Sequence, residues 1–168
     1  MNTQMFLNPI TQGNIMRLLK VGIRILQPSS GVLACGDIGV GKMPEPETIF
    51  EEILFDLAFD KDLKGKNVLV TAGATQESID PVRYITNHST GRMGYALAKA
   101  AAYRGAQVTL VTGKTNLEPI PYVNTIEITT SAEMCDEVLK HAPKADYIFK
   151  AAAVADYTPV STYDEKIK

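Results

Sequence analysis

The chain has 168 residues, 45% hydrophobic and 21% charged, the balance of a globular fold with material for one ordinary core. A formal net charge of −2 supplies no basic field for nucleic acid, and no apolar run approaches the ~18 residues of a membrane span. The opening MNTQMFLNPITQGN lacks the basic and apolar regions of a secretory leader, so the cytoplasm is the expected compartment. Two cysteines without CxxC spacing and two histidines without HExxH leave disulfide, zinc and histidine-based metal chemistry unsupported.

In chain order, TQGNIMRLLKVG sets Ile15, Leu18 and Leu19 on one face and predicts a short amphipathic helix. IRIL reads as a short strand before Pro28, and the glycine-rich SSGVLACGDIGVGK as a loop. PEPETIFEEILFDLA opens with Pro and Glu, which suit a first helical turn. It repeats Ile49, Phe50, Ile53, Leu54 and Leu57 at helical spacing. Helix–strand–loop–helix is too little for an independent α/β layer, so residues 1–59 are expected to expose apolar surface and associate. FDKDLKGK, polar and alternating in charge, reads as a linker over residues 60–66.

From residue 67 the pattern becomes regular. NVLVTAG is a buried β-branched strand, and GRMGYALAKAAAYRG a helix with Met93, Leu97 and Ala101 inward. AQVTLVTG and TIEITT are the next strands, TSAEMCDEVLKHAPKA a helix opened by a capping box of Thr130 and Glu133, and DYIFKAAAVADY a further strand. Alternating strands and helices predict an α/β fold, a Rossmann-like parallel sheet between helical layers. Ligands of such sheets bind beyond the carboxyl ends of the strands, where residues 74–90, 114–124 and those after Ala153 fall. The first of these loops is 17 residues long, where two to six are usual.

Several motifs have two readings. GDIGVGKM has the outline of a P-loop, but Met43 stands where Ser or Thr would hold magnesium, and Pro44 and Pro46 block the helix whose N-terminus the phosphates need. A mobile glycine flap carrying Cys35 is the better reading. Cys35 itself is either a small buried apolar residue or a reactive group held by a loop, whereas Cys135, within a helix, takes the buried reading. TAGATQ lacks GxGxxG, which counts against an NAD(P)-binding oxidoreductase. In DPVRYITNHSTGRMG, Asp80-Pro81 is turn chemistry, and Ser89, Thr90 and Gly91 stand where free N–H groups open a helix. Arg83 and Arg92 suit phosphate oxygens, and Asn87 suits an acyl oxygen that becomes negative. Helix capping by Ser89 or Thr90, with Asn87 and His88 as loop glue, explains the same residues without a ligand. In KAAAVADY, small side chains at a strand end admit a planar ring, and Asp156 can accept from a ribose hydroxyl; tight packing explains the alanines equally well.

VLVTAGATQESIDPVRYITNHSTGRMGYALAKAAAYRGAQVTLVTG, then AAAVADY and EKIK, resembles the ligase domain of the bifunctional phosphopantothenoylcysteine decarboxylase/phosphopantothenate–cysteine ligase family of coenzyme A biosynthesis. MNTQMFLNPITQGNI and GVLACGDIGVGKMPEPE resemble the last part of its flavin-dependent decarboxylase. The resemblance implies three segments: residues 1–59 as a C-terminal piece of the decarboxylase, an incomplete flavoprotein α/β segment; the 60–66 linker; and residues 67–168 as the N-terminal part of the ligase. It further implies a CTP-dependent condensation of 4'-phosphopantothenate with cysteine, through an acyl-cytidylate and assisted by Mg2+. Decarboxylation to 4'-phosphopantetheine with FMN follows in the full-length family, which acts as a homo-oligomer.

By position, the resemblance gives Asn87, Arg83 and Lys166 catalytic roles in the ligase. Gly73, Ala74, Thr75, Ser89, Thr90, Gly91, Ala152, Ala153 and Asp156 become nucleotide contacts. Cys35 matches the flap cysteine that reprotonates the decarboxylation intermediate, and Asn2 lies in the substrate motif PxMNxxMW, with Phe6 where tryptophan is usual. Residues for the metal are not assigned. The cradle reads GAT where GGT is usual, and Thr90 and Arg92 stand for serine and lysine. Measured against the family pattern, the chain begins inside PxMNxxMW and stops inside KIKK. A fragment truncated for both activities is therefore expected, either an enzyme piece or a non-catalytic or regulatory remnant.

Overall fold

The computed structural model describes residues 1–167, which form two compact units, residues 1–58 and 59 onward. In the first unit, α1 (Thr3–Leu7) and α2 (Pro9–Lys20) are capped by Asn2 and Asn8, whose side chains accept from the backbone N–H groups of Met5 and Ile10. The strand expected at IRIL is absent: Ile23–Leu26 runs without a partner strand, pinned by ion pairs from Arg24 to Glu52 and Asp56 and by its guanidinium over Phe55.

The glycine-rich stretch expected as a loop, and within it as a mobile flap, is instead an antiparallel hairpin of β1 (Ser29–Val32) and β2 (Ile38–Lys42). Gly36, at φ +88°, supplies the left-handed residue of its tight loop, closed by bonds from Leu33 N–H to Asp37 C=O (2.8 Å) and Gly36 N–H to Leu33 C=O (2.9 Å). α3 (Pro46–Leu57) follows as expected, although Phe50, Ile53 and Leu57 of its apolar stripe are exposed.

In the second unit the stretch read as a linker is tied to the end of a helix. Leu63 N–H bonds Arg104 C=O at 3.0 Å, the Lys61 ammonium bonds Tyr103 C=O, and Asp62 pairs with Arg104. β3 (Asn67–Ala72) then enters the core with Val68, Leu69, Val70 and Ala72 buried. Residues 74–90 contain a second antiparallel hairpin, β4 (Gln76–Ser78) with β5 (Tyr84–Thr86). Next come α4 (Arg92–Tyr103), β6 (Gln107–Thr112), β7 (Val123–Glu127), α5 (Ser131–His141) and β8 (Tyr147–Lys150). The expected capping box forms, with Glu133 N–H on the Thr130 hydroxyl and Thr130 N–H on the Glu133 carboxylate, both at 3.2 Å.

β3, β6, β7 and β8 form one parallel sheet ordered β7-β6-β3-β8, the α/β fold expected from the alternating pattern. α4 packs against β3 and β6. On α5 and the strands facing it, Leu69, Val111, Ile128 and Met134 make a buried cluster. α4 turns an inward face that matches the expected one only in part: Ala101 is buried as expected and Leu97 half-buried, but Gly94, Ala98 and Ala102 are buried beside Ala101 while Met93 is 72% exposed. The cause is close approach. A Cβ on Gly94 would stand 2.5 Å from Ala72 Cβ, so the helix lies too near β3 for a large side chain. Cys135, expected buried, is exposed because Met134 takes the inward position of α5.

Candidate functional site

The strand order reverses at β3, with β6 on one side and β8 on the other, so the carboxyl ends of β3 and β8 flank the switch point where ligands of open α/β sheets bind. Beyond the sheet the two chains stay paired. Ala153 N–H bonds Gly73 C=O at 2.8 Å, and Ala74 bridges Ala153. Thr75 N–H bonds Ala153 C=O at 3.3 Å, and Ala155 N–H bonds the fully buried Thr75 hydroxyl at 2.9 Å. Asn87 completes the seam, its amide donating to Val154 C=O at 2.8 Å. The structure thus brings Asn87 to the segment holding Ala152, Ala153 and the exposed Asp156.

A cleft of about 500 Å³ opens beside this seam. Ser89, Thr90 and Arg92 line it from the start of α4, Gln76 and Tyr84 from the hairpin, and Lys114, Thr115, Asn116 and Leu117 from the β6–β7 connection. Gly91, at φ +74°, turns the chain into α4, and a Cβ there would meet Thr115 Cγ2 at 2.8 Å. The helix opens without a side-chain cap on Gly91, so first-turn N–H groups remain for a ligand. Ser89 is engaged locally, accepting from Gly91 N–H at 3.3 Å. Among the described residues Arg92 and Lys114 form no ion pair, and no carboxylate lines the cleft. This is uncompensated positive charge at a helix N-terminus, a setting for phosphate.

Gly73, Ala74 and Thr75 are buried in the seam and do not line the cleft. Arg83 is committed elsewhere: its Nε and Nη2 donate to Asp80 Oδ2 at 2.9 and 2.5 Å, and Nη2 also to Ile167 C=O at 3.1 Å. Arg83 beside Asp80, with the N–H groups of Val82, Arg83 and Ile167, holds the Asp80 carboxyl well below the usual carboxylate range, against the opposing effect of burial. Lys166 is exposed and adjoins Ile167. A separate cavity of about 370 Å³, lined by Asn67, Gln107, Asn124, His141 and Lys144, lies at the amino ends of the strands, the wrong end for this chemistry.

In the first unit, Asn2 and Cys35 line one cavity of about 380 Å³, with Met1, Leu33, Ala34, Lys42 and Met43. The approach is anchored by the Thr3 hydroxyl donating to Val40 C=O at 2.9 Å. Cys35 is exposed, its thiol 3.4 Å from Asp37 Oδ2, which removes the buried-apolar reading. The lining offers a thiol, an amide and an ammonium, but no cradle of N–H groups for a flavin phosphate, and no flavin step is assigned to these residues.

Sequence reading missed Gln76, Tyr84, Lys114, Thr115 and Asn116 as cleft-lining residues. The strand-end rule pointed to the connection after β6 but to no residue in it. Asp80 was read only as a turn former; its i, i+3 spacing to Arg83 was the available signal.

Fold and site define a class: a parallel α/β layer with a cleft carrying Arg92 and Lys114 beyond the carboxyl ends of β3 and β6. The family model described as DNA/pantothenate metabolism flavoprotein C-terminal domain matches residues 63–168, and one described as Flavoprotein matches residues 1–57. The chain belongs to the DNA/pantothenate metabolism flavoprotein C-terminal domain family. It is similar to the coenzyme A biosynthesis bifunctional protein CoaBC of Haemophilus influenzae, 47% identical over 168 residues, all of this chain and 42% of that protein. The Escherichia coli K12 protein of that name is 45% identical, over all of this chain and 41% of its own length. The chain therefore spans about two fifths of the curated relatives it matches. Among solved structures, the C-terminal domain of CoaBC is 46% identical with a TM-score of 0.58, over 60% of this chain and 52% of that one. The DNA/pantothenate metabolism flavoprotein from Streptococcus pneumoniae is 39% identical with a TM-score of 0.54, over 57% of this chain and 43% of that one.

Proposed function

We propose that this chain carries part of a CTP-dependent phosphopantothenate–cysteine ligase, within a family that also decarboxylates the product with FMN. The observation that supports the reading most is the bond from the Asn87 amide to Val154 C=O. It joins the candidate acyl-step residue to the candidate nucleotide segment 152–156, beside a cleft with unpaired cations. In this reading the phosphopantothenate carboxylate attacks the α-phosphorus of CTP and pyrophosphate leaves. Cysteine's amine then attacks the acyl carbon, CMP leaves, and the nitrogen loses a proton to form the amide.

Ser89, Thr90, Gly91, Arg92 and Lys114 hold phosphate oxygens, Ala152, Ala153 and Asp156 follow the nucleoside, and Gly73, Ala74 and Thr75 support the cradle from behind. Lys166 neutralises charge during cytidylate formation, and Asn87 donates to the acyl oxygen as it becomes negative. Among the described residues no three carboxylate, histidine or cysteine side chains converge. Mg2+ would therefore be held chiefly by the nucleotide's own phosphates, supplying charge neutralisation there. In the first unit, Asn2 and Cys35, which line one cavity, would offer an amide and a thiol to the substrate of the second activity. The cytoplasm is the proposed compartment, and among the described residues no helix is long and apolar enough to cross a membrane.

The test is pyrophosphate release from α-labelled CTP and phosphopantothenate by the whole chain. Lys166→Gln is expected to lower it by about 10²–10³-fold, the range for one lost transition-state donor. Saturable CTP binding without pyrophosphate release would restrict the chain to the binding half, as a non-catalytic remnant. Preference for NADPH over CTP would overturn the reading in favour of an oxidoreductase.

A further inference from the structure

We infer that Asp80 is a positioning residue: with Arg83 it forms a clasp that fixes residues 163–167, and with them Lys166, on the tip of the β4–β5 hairpin. The role of Lys166 rests on the CTP reading above; the clasp rests on geometry alone.

The Asp80 side chain is buried, yet it is charged, and a buried charge persists only when its oxygens are fully engaged. Oδ1 accepts from Val82 N–H at 2.9 Å and Arg83 N–H at 2.8 Å, the pattern of an aspartate-capped turn. Those two bonds suffice to shape the hairpin tip. Oδ2 does something the turn does not need: it accepts the Arg83 fork and, at 3.2 Å, the N–H of Ile167, 87 residues further along. Arg83 Nη2 closes the ring on Ile167 C=O, and Tyr163 N–H bonds Ile79 C=O at 3.1 Å.

The segment so held has little structure of its own. After β8 ends at Lys150, the remaining described residues form no helix or strand beyond the single bridge at Ala153. Such a segment is ordered only by its ties. The near ties are at Ala153, Val154 and Ala155; the far ties are Ile79, Asp80 and Arg83. Lys166 is one residue from the far anchor while its own side chain stays exposed. Arg83 accordingly acts through this segment and does not itself touch the reacting phosphate.

The experiment compares the whole chain with Asp80→Asn, Arg83→Lys and Lys166→Gln. Amide hydrogen exchange at Tyr163 and Ile167 is expected to rise at least tenfold in Asp80→Asn and to a smaller extent in Arg83→Lys, which keeps charge but loses the fork. Val70 and Leu110 in the core should keep their rates. Trypsin cleavage after Lys166 should accelerate in parallel. Unchanged exchange at Ile167, or equal acceleration at Val70 and Leu110, overturns the clasp as a local positioning device. In CTP titration, the double variant Asp80→Asn/Lys166→Gln is expected to bind within twofold of Lys166→Gln alone, because Asp80 acts through Lys166. Multiplication of the two single effects overturns that. If the unaltered chain does not bind CTP, the proposed function fails, while exchange and cleavage still decide the clasp.

Discussion

The two units hold similar kinds of elements but bury them to different degrees. Among the described residues of the first, only Leu33 and Gly41 are buried, and Ile10, Met16 and Leu18 on the Asn8-capped α2 and Phe50, Ile53 and Leu57 on α3 stand exposed. The second buries both faces of β3 and β6, with Leu69, Val70, Leu110 and Val111 at 1% exposure or less. Helix signals such as caps and apolar spacing are local and form elements in either unit. Burial is cooperative and requires a sheet between the helices, which two hairpin strands of four and five residues do not provide.

The largest expected effect tests this contrast. All seven tyrosines lie at residue 84 or beyond, so tyrosine fluorescence follows the second unit alone. Leu69→Ala is expected to destabilise that unit by about 2–5 kcal/mol in urea unfolding. Leu33→Ala should leave the tyrosine midpoint in place. An equal loss from both would break the comparison, since Leu33 would then belong to the same cooperative core.

A smaller effect sharpens it. Gly94→Ala gains about 0.8–1.0 kcal/mol of helix propensity, whereas overpacking a tight contact costs about 1–3 kcal/mol. At Gly94 the added carbon would meet Thr71 O at 2.8 Å and Ala72 Cα at 3.0 Å, backbone that cannot swing aside, so overpacking wins. A net loss of about 1 kcal/mol is expected, read from the same midpoint. Gly13, in α2 of the first unit, has open space around it, so Gly13→Ala should express only the propensity gain.

The same distinction explains what could be read in the sequence. The parallel sheet was legible because each strand carries its own β-branched or aromatic residues and each helix its own periodicity. The inward face of α4 was legible at Ala101 but not at its start, because spacing alone favours Met93, whereas the close approach to β3 puts Gly94 inward. The hairpin around Cys35 was hidden by glycines that read as loop but serve the turn at Gly36 and the contact of Gly39 with Thr3. Ser89 and Thr90, which line the cleft, were legible as polar types before a helix. Lys114 and the tie from Asp80 and Arg83 to Ile167 were not, since the tie is long-range and Lys114 leaves no local pattern; only the i, i+3 spacing of Asp80 to Arg83 was there to read. Arg83 shows the cost of residue-type reasoning: a forked donor suits phosphate, but it suits a carboxylate three residues away just as well.

Carboxylates give the finest comparison between the units. Glu45, fully exposed in the first, is lowered chiefly by its hydrogen bond to Lys42, and salt screens such a surface pair. Asp80, buried in the second, is lowered chiefly by Arg83 and then by three backbone N–H groups, where screening by salt is weak. For both, the folded form holds its proton less tightly than the unfolded chain, whose carboxylates titrate near ~4. The stabilisation is therefore complete above about pH 4 and is lost as pH falls further towards the folded value. In acid unfolding followed by circular dichroism, which reads both units, Asp80→Asn should flatten the fall in stability below about pH 4, while Glu45→Gln leaves it unchanged. Added salt should leave the Asp80 contribution nearly intact. A slope in the Asp80→Asn variant as steep as in the unaltered chain would mean that other carboxylates govern acid unfolding, and that the buried clasp adds nothing beyond what an exposed pair provides.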